Sequence, residues 1–415
     1  MTVPRTTDFV IVGAGVVGLA LARELRRAHP TARILVLEKE SGLGQHASGR
    51  NSGVLHSGIY YAAGSVKGRL CAQGAKELAQ YCEEERLPIN RCGKVIVPAA
   101  DGEDAQLDEL LRRGTSNRAR AELIGERQLA EIEPETRSYS GRALYCLDTA
   151  VVDPKAILQR LSSSLLADGV QVLFGHPAER VDVGPGTLQV RGSSISFGHL
   201  FNAAGLHADR VARAFGAGAR YVILPFKGLY RRLLPESGLS VRGLIYPVPD
   251  LKVPFLGIHF TRAVGGDIYV GPTAVPALGR ENYEGLHGVR LWEALSIGSR
   301  VVGQYIRNRQ GFRKFAHAEA LRLMNGAFVR AAQALVPRLQ SHHLTRSAKV
   351  GIRAQLLDRT THELVLDFVV ESVGRSTHIL NAVSPGFTSA FPFARMVLDQ
   401  SGVVADHSIM EGQAV

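Results

Sequence analysis

The first forty residues constrain this chain more than any other stretch. Phe9 to Val12 is a short apolar run, and Gly13-Ala14-Gly15-Val16-Val17-Gly18 follows without a break. Leu19 to Ala28 has helical character, and Ile34 to Leu37 is a second apolar run closed by Glu38. Strand, glycine turn, helix, strand and acid in that order predict a dinucleotide-binding β-α-β unit. Gly13 permits a tight turn off the strand, Gly15 lets a pyrophosphate approach the backbone, and Gly18 lets the helix pack close to the strand. The N–H groups and the positive dipole end of the helix face phosphate. Glu38 stands where a carboxylate meets ribose hydroxyls. The same acid would oppose a 2′-phosphate, which argues against NADP and leaves FAD or NAD.

A chain of 415 residues is too long for one ordinary core, so two intertwined domains are expected. With 45% hydrophobic and 21% charged residues the composition is that of a soluble globular protein. There is no apolar run long enough to span a bilayer, and Met1 to Asp8 is too short and polar for a signal peptide. Cys71, Cys82, Cys92 and Cys146 show no C-x-x-C and no metal-ligand spacing. They read as reduced thiols in a cytoplasmic protein. The formal charge of +11 reads as arginine spread over the surface, and no nucleic-acid module accompanies it. The densest basic stretch, Arg307 to Lys314, reads as a solvated helix end. A peripheral contact with the inner face of the cytoplasmic membrane, with Phe312 in the interface, is the alternative.

Residues 39 to 61 are rich in glycine and small side chains and cannot bury themselves. A loop of that length is functional or disordered, and small residues at 47 to 53 suit wrapping around a flat ligand. An amphipathic helix is expected over 67–86, a strand at 93–98, short helices at 104–114 and 126–132, and a strand at 143–147. Asp153 and Pro154 open a helix to about Ala167. Strands follow at 170–174, 180–183, 188–190, 194–196 and 199–205, the last leading into a helix to Phe215. Alternating strands from 221 to 275 form an antiparallel sheet inserted into the nucleotide domain. Residues 292–335 are mostly helical, strands recur at 350–356, 365–371 and 377–381, and Pro385 begins a last helix. The tail from Ser401 is expected to be loose. The division is 1–90, 145–220 and 345–410 for a discontinuous nucleotide domain, with 91–144 and 221–344 for the substrate domain.

The stretch Asn51-Ser52-Gly53-Val54-Leu55-His56-Ser57-Gly58-Ile59-Tyr60-Tyr61 resembles a motif of the L-2-hydroxyglutarate dehydrogenases and oxidases. That family lies within the FAD-dependent oxidoreductase superfamily of D-amino acid oxidase. Pro225-Phe226-Lys227-Gly228, Ile245 to Asp250, Pro254 to Thr261, Val270-Gly271-Pro272, Gly351 to Gln355 and Asn381 to Pro385 extend the resemblance over nearly the whole chain. Lys227 stands where the family usually has Arg, Leu229 where an acid is common, Thr273 where Asn is usual, and Gly386-Phe387 where two alanines are usual. Residues 300 to 350 match less well. These departures bear on which acid is oxidised.

The resemblance implies an α/β fold with an α+β insert: a Rossmann-like FAD-binding domain with an interleaved antiparallel-sheet substrate domain. It implies non-covalent FAD held by Gly13, Gly15, Val17, Gly18, Glu38, Lys39, Gln45, Ser48, Asn51, Ser52, Gly53, Val54, Val181, Ala204, Gly205, Gly351, Gly386, Phe387 and Thr388. It also implies oxidation of an L-2-hydroxy acid, first L-2-hydroxyglutarate, by hydride transfer to flavin N5, with quinone or oxygen as acceptor. Such chemistry needs a base for the hydroxyl proton and cations for carboxylates. His56 is the first choice as base and His259 the rival or a substrate partner. Arg353 is the first carboxylate ligand, with Lys67 and Lys227 behind it, because Arg binds a carboxylate with two parallel bonds. Tyr60, Tyr61 and Tyr246 offer hydroxyls or only fill volume. The last helix is expected to aim its N–H groups at the flavin's pyrimidine edge. An amine or amino-acid oxidase of the same superfamily is the alternative activity, an NAD-dependent dehydrogenase a more distant one.

Overall fold

The computed structural model describes residues 3–182, 186–251 and 255–403. Strand Thr6–Val12, helix Val16–Ala28 and strand Ile34–Glu38 form the expected β-α-β unit. Five parallel strands lie side by side in the order Gln171–Phe174, Ile34–Glu38, Thr6–Val12, Ser193–Asn202, Ser376–Asn381. Their near-continuous apolar sequences follow from burial on both faces. Ile11 and Val36 point to the side covered by helices Val16–Ala28, Pro154–Ala167 and Ala390–Ser401, where Leu19, Leu25, Leu158, Phe393 and Val397 share one core. Val10, Leu35 and Leu37 point the other way, against Leu188, Val190, Ile195 and Phe197. Alternation along each strand thus feeds two cores.

Two stretches expected as separate strands, 194–196 and 199–202, are one strand, Ser193–Asn202. Its first half pairs antiparallel with Thr187–Val190 and its second half carries the parallel sheet. The strand expected at 180–183 is described as far as Asp182. Pro254 and the tail beyond Val403 lie outside the described residues. Asp153 caps helix Pro154–Ala167 as expected, accepting from Lys155 N at 2.9 Å and Ala156 N at 3.3 Å.

A second, mostly antiparallel sheet is built from Lys94–Val97, Ala121–Gly125, Arg142–Cys146 and the strands between Tyr221 and Pro276. Its longest member, Leu344–Asp358, pairs with Tyr221–Leu233 along nearly its whole length. Residues 345–358 therefore belong to this sheet, whereas the expected division put them with the nucleotide domain. The polar stretch Thr345 to Lys349 hides the start of that strand from a pattern reading. The segment 292–335 is three helices, Leu291–Arg307, Phe312–Arg322 and Asn325–Gln333. Phe312 is buried with Phe226 and Ile297, so it is a core residue and not an interface one. The last helix begins at Ala390, five residues after Pro385. Residues 383–389 form a run of turns, with Ser389 N bonded to Pro385 O at 2.9 Å. The four cysteines are free. Among the described residues no helix is long and apolar enough to cross a membrane.

Candidate active site

A cavity of about 370 Å³ lies between the two sheets, with the glycine turn at one end and the second sheet at the other. At the turn, Gly13 has φ +106° and any Cβ would meet the Ala203 carbonyl oxygen at 2.6 Å, so only glycine fits. A Cβ on Gly15 would stand 3.0 Å from Ser48 Oγ, which accepts from Val16 N at 3.0 Å. Gly15 caps the helix and no side chain takes up its first-turn N–H groups. Both oxygens of Glu38 bond backbone: Oε2 accepts from Ala14 N and Oε1 from Glu40 N, each at 2.9 Å. Glu38 thus fixes the turn itself, with lone pairs to spare for a ribose. Asn51 folds the small-residue loop on itself, accepting from Gly53 N at 2.8 Å and donating to Ser48 O at 2.7 Å. Gly15, Val17, Ser48, Asn51, Ser52 and Gly205 line this end. Close backbone, small side chains and an open helix N-terminus fit the pyrophosphate of FAD.

The other end is built by register. In the second sheet Gly228 lies opposite Gly351 and Phe226 opposite Arg353. Directly opposed residues share a face, and this face is the cavity floor. Tyr230, two residues beyond Gly228 at a bulge, continues it. Arg353 Cζ stands 5.3 Å from the Phe255 ring centroid. Burial lowers the Arg353 pKa to about 10, so the guanidinium keeps its charge at neutral pH. Burial raises the Tyr230 phenol to about 12.

Two histidines face each other's surroundings across this end. His259 Nδ1 donates to Gly257 O at 2.8 Å, which leaves Nε2 as the basic nitrogen. Its ring stacks on Tyr246 with centroids 3.9 Å apart. Burial brings its pKa to about 4, Gly257's carbonyl opposing and Lys94 assisting. His56 follows strand Val54–Leu55. Its backbone N donates to Thr388 Oγ1 at 3.2 Å, and Cys71 Sγ donates to its carbonyl at 3.2 Å. Its ring borders the cavity yet lies deep in protein mass. Burial first, then the charges of Lys94, His259 and Arg353, lower its pKa to about 3. Both imidazoles are neutral at pH 7 and able to accept a proton, and an anionic ligand beside them would raise their basicity.

The structure gathers His56, His259, Arg353, Gly15, Val17, Ser48, Asn51, Ser52, Val54, Gly205, Gly351, Gly386, Phe387 and Thr388 around this cavity. Other residues named from the sequence have different surroundings. Lys67 bonds the carbonyls of Leu366 and Val383, lies 5.3 Å from the Tyr61 ring, and burial lowers its pKa to about 8. Lys227 Nζ donates to Asn282 Oδ1 at 2.8 Å. Lys39 joins Glu40 and Glu281, the latter at 2.7 Å, and Gln45 bonds Ser41 at 3.3 Å. Tyr61 meets Ser384. Tyr60 and Tyr246 sit behind the histidines, their rings 4.4 Å and 5.2 Å from Lys94 Nζ. Gly13, Gly18, Gly53 and Ala204 shape the turns that bear on the cavity, and Val181 pairs with Leu188 in the antiparallel extension.

Two residues escaped the sequence reading. Tyr230 shows only as the period-two continuation of Phe226 and Gly228. Lys94 is 1% exposed, and among the described residues its Nζ has no hydrogen-bond partner. His56 Nδ1, Ser57 Oγ and Tyr60 OH are likewise unsatisfied and buried. The one available signal was a lysine opening an all-apolar strand, Lys94–Val97.

A glycine-turn parallel sheet and an inserted sheet that encloses its ligand cavity with a buried arginine and neutral histidines are features of flavin-dependent oxidoreductases. The pattern described as FAD dependent oxidoreductase matches residues 8–400, and the chain belongs to that family. Within it the chain is similar to proteins named L-2-hydroxyglutarate dehydrogenase. The human mitochondrial protein is 35% identical over 415 residues, covering 95% of this chain and 88% of that one. The protein of Indibacter alkaliphilus is 35% identical over 400 residues, covering 94% and 97%. That of Escherichia coli K12 is 31% identical over 399 residues, covering 95% and 92%. Among solved structures, the L-α-glycerophosphate oxidase of Mycoplasma pneumoniae with FAD bound superposes with a TM-score of 0.74 at 20% identity, covering 95% of this chain and 94% of that one. The glycine oxidase of Geobacillus kaustophilus gives 0.68 at 17%, covering 95% and 94%. At such identities these two show the shared fold.

Proposed function

We propose that this FAD-dependent oxidoreductase oxidises L-2-hydroxyglutarate to 2-oxoglutarate and passes the electrons to a quinone or to oxygen. The observation that carries the reading is one cavity joining the Gly15–Ser48 turn to Arg353, His56 and His259. The named relatives, all at 31–36% identity over nearly the full chain, support the choice of acid.

In this reading the turn from Gly13 to Gly18, with Ser48 and Asn51, holds the pyrophosphate, and Ser384 to Thr388 border the flavin ring. When bound, FAD supplies the acceptor for the hydride that leaves C2. Arg353 takes a substrate carboxylate through two parallel N–H bonds and sets the C2–H direction. His56 takes the hydroxyl proton, with His259 as the other candidate. The carbon–oxygen double bond forms as proton and hydride depart. Tyr230 stays protonated and can donate to a carboxylate oxygen. Phe226 and Phe255 keep water from this end.

The purified protein should be yellow, and anaerobic L-2-hydroxyglutarate should bleach it. D-2-hydroxyglutarate and L-glutamate should leave the colour. Bleaching by amino acids alone would replace the reading with an amine oxidase, and a colourless native protein would remove it. Re-oxidation of the bleached enzyme by a water-soluble quinone or by air then assigns the acceptor.

A further inference from the structure

Helix Leu291–Arg307 is amphipathic in the inverted sense. At about 100° per residue, Leu291, Leu295, Val302 and Ile306 fall within an arc of roughly 60°, with Trp292 beside them. That arc faces outward: Leu291 is 69% exposed, Trp292 81% and Ile306 63%. The opposite side carries Glu293, Ile297, Arg300 and Gln304, of which Ile297 and Gln304 are buried. Glu293 is held by Arg210 and Arg280. Ten of the seventeen large apolar side chains exposed among the described residues lie between Leu286 and Met324. A concentration of that kind marks an interaction surface.

The charge around it has one sign. From residue 285 to 340 there are nine Lys or Arg against Glu293 and Glu319, a net +7 of the chain's +11. Both glutamates are largely buried and paired with arginine. Arg290, Arg307, Arg309, Arg313 and Lys314 are exposed, so the apolar stripe has a cationic rim. A second copy docked face to face would bring these cations together. A negatively charged, apolar-backed surface matches both features at once.

We propose that this face seats the protein on an anionic lipid surface. The stripe enters the boundary of headgroups and acyl chains, Trp292 sits at that boundary, and the arginines meet headgroup phosphates. The basic charge is then gathered at one face, rather than spread evenly as the composition alone suggested.

Trp292 is the chain's single tryptophan, so its emission reports this helix alone. The FAD-loaded enzyme is mixed with vesicles of phosphatidylcholine containing phosphatidylglycerol. Emission should shift to the blue and the protein should sediment with the vesicles. Pure phosphatidylcholine vesicles should bind about ten-fold or more weakly, and raised salt should release the protein. The variant Leu295→Glu/Val302→Glu/Ile306→Glu should lose vesicle binding and keep its FAD and its substrate-driven bleaching. Unchanged Trp292 emission with anionic vesicles, or wild-type binding by the variant, overturns the proposal. A wild-type dimer in light scattering that the variant dissociates gives the face to a second copy and overturns it as well. None of these readings requires the substrate, so failure of the substrate assignment would be seen separately.

Discussion

Lys94 is the residue whose placement demands the most explanation. Its side chain is fully enclosed between the Tyr60 and Tyr246 rings, and burial pushes its pKa down. A base whose folded pKa is depressed holds its proton more weakly in the fold than in the unfolded chain. It therefore opposes folding at any pH below the unfolded value of the lysine. Lys94→Met keeps the volume and removes that burden, so it should raise unfolding free energy by about 1–3 kcal/mol in urea titrations. The same change removes a positive charge beside His56, so the acid limb of flavin reduction should move to higher pH. A destabilised variant with an unmoved acid limb would show that Lys94 is anchored by a partner instead. His56, His259 and Arg353 could be named from short local motifs, and all three border the cavity. Lys94 could not, because one lysine at a strand start reads as exposed until the strand's partners are known.

At the scale of elements, what was legible was what is local in the chain. The unit from Thr6 to Glu38 contains its own strand, turn, helix and acid within some thirty residues, and it forms as read. The cavity floor was not legible, since Gly228 meets Gly351 across more than a hundred residues. The last helix shows a different kind of miss. Pro385 is well suited to a first helical position, but the chain runs through turns until Ala390. The 384–388 backbone still borders the cavity, as a turn rather than a helix end. The glycine turn gives the test at this scale. Gly15→Val places methyl groups where a Cβ alone already stands 3.0 Å from Ser48 Oγ. The variant should fold yet retain less than about a tenth of the wild-type FAD by visible absorbance, as expected if a side chain fills the pyrophosphate's space. Full FAD content in a folded variant would make the turn purely structural.

Over the whole molecule, interleaving explains which boundaries were readable. Each return to the parallel sheet is an apolar strand, so 171–174 and 376–381 stand out. The join at 344–358 is masked by its polar start. Burial of histidines gives the molecule a shared pH response. His199, His259 and His378 each have a pKa lowered to about 4, by burial above all. Between about pH 6.5 and 4 the unfolded chain binds protons there that the folded chain refuses. Stability therefore falls as pH falls, on the order of 1 kcal/mol per histidine per unit. Glu133, raised to about 7 by burial, works the other way between about 4.5 and 7, one group against three. Urea midpoints should be lower at pH 5 than at pH 6.5, and equal or higher midpoints would contradict this balance.

The account's central claim is that one cavity divides holding from chemistry between Arg353 and His56. Anaerobic stopped-flow reduction of the flavin by L-2-hydroxyglutarate isolates that step from re-oxidation. Arg353→Met should weaken saturation by roughly thirty- to a thousand-fold while the limiting rate changes little. His56→Ala should keep saturation near that of wild type and lower the limiting rate by about 10²–10⁴-fold. Reduction of the His56→Ala flavin at the wild-type rate, together with unchanged saturation in Arg353→Met, would contradict the account.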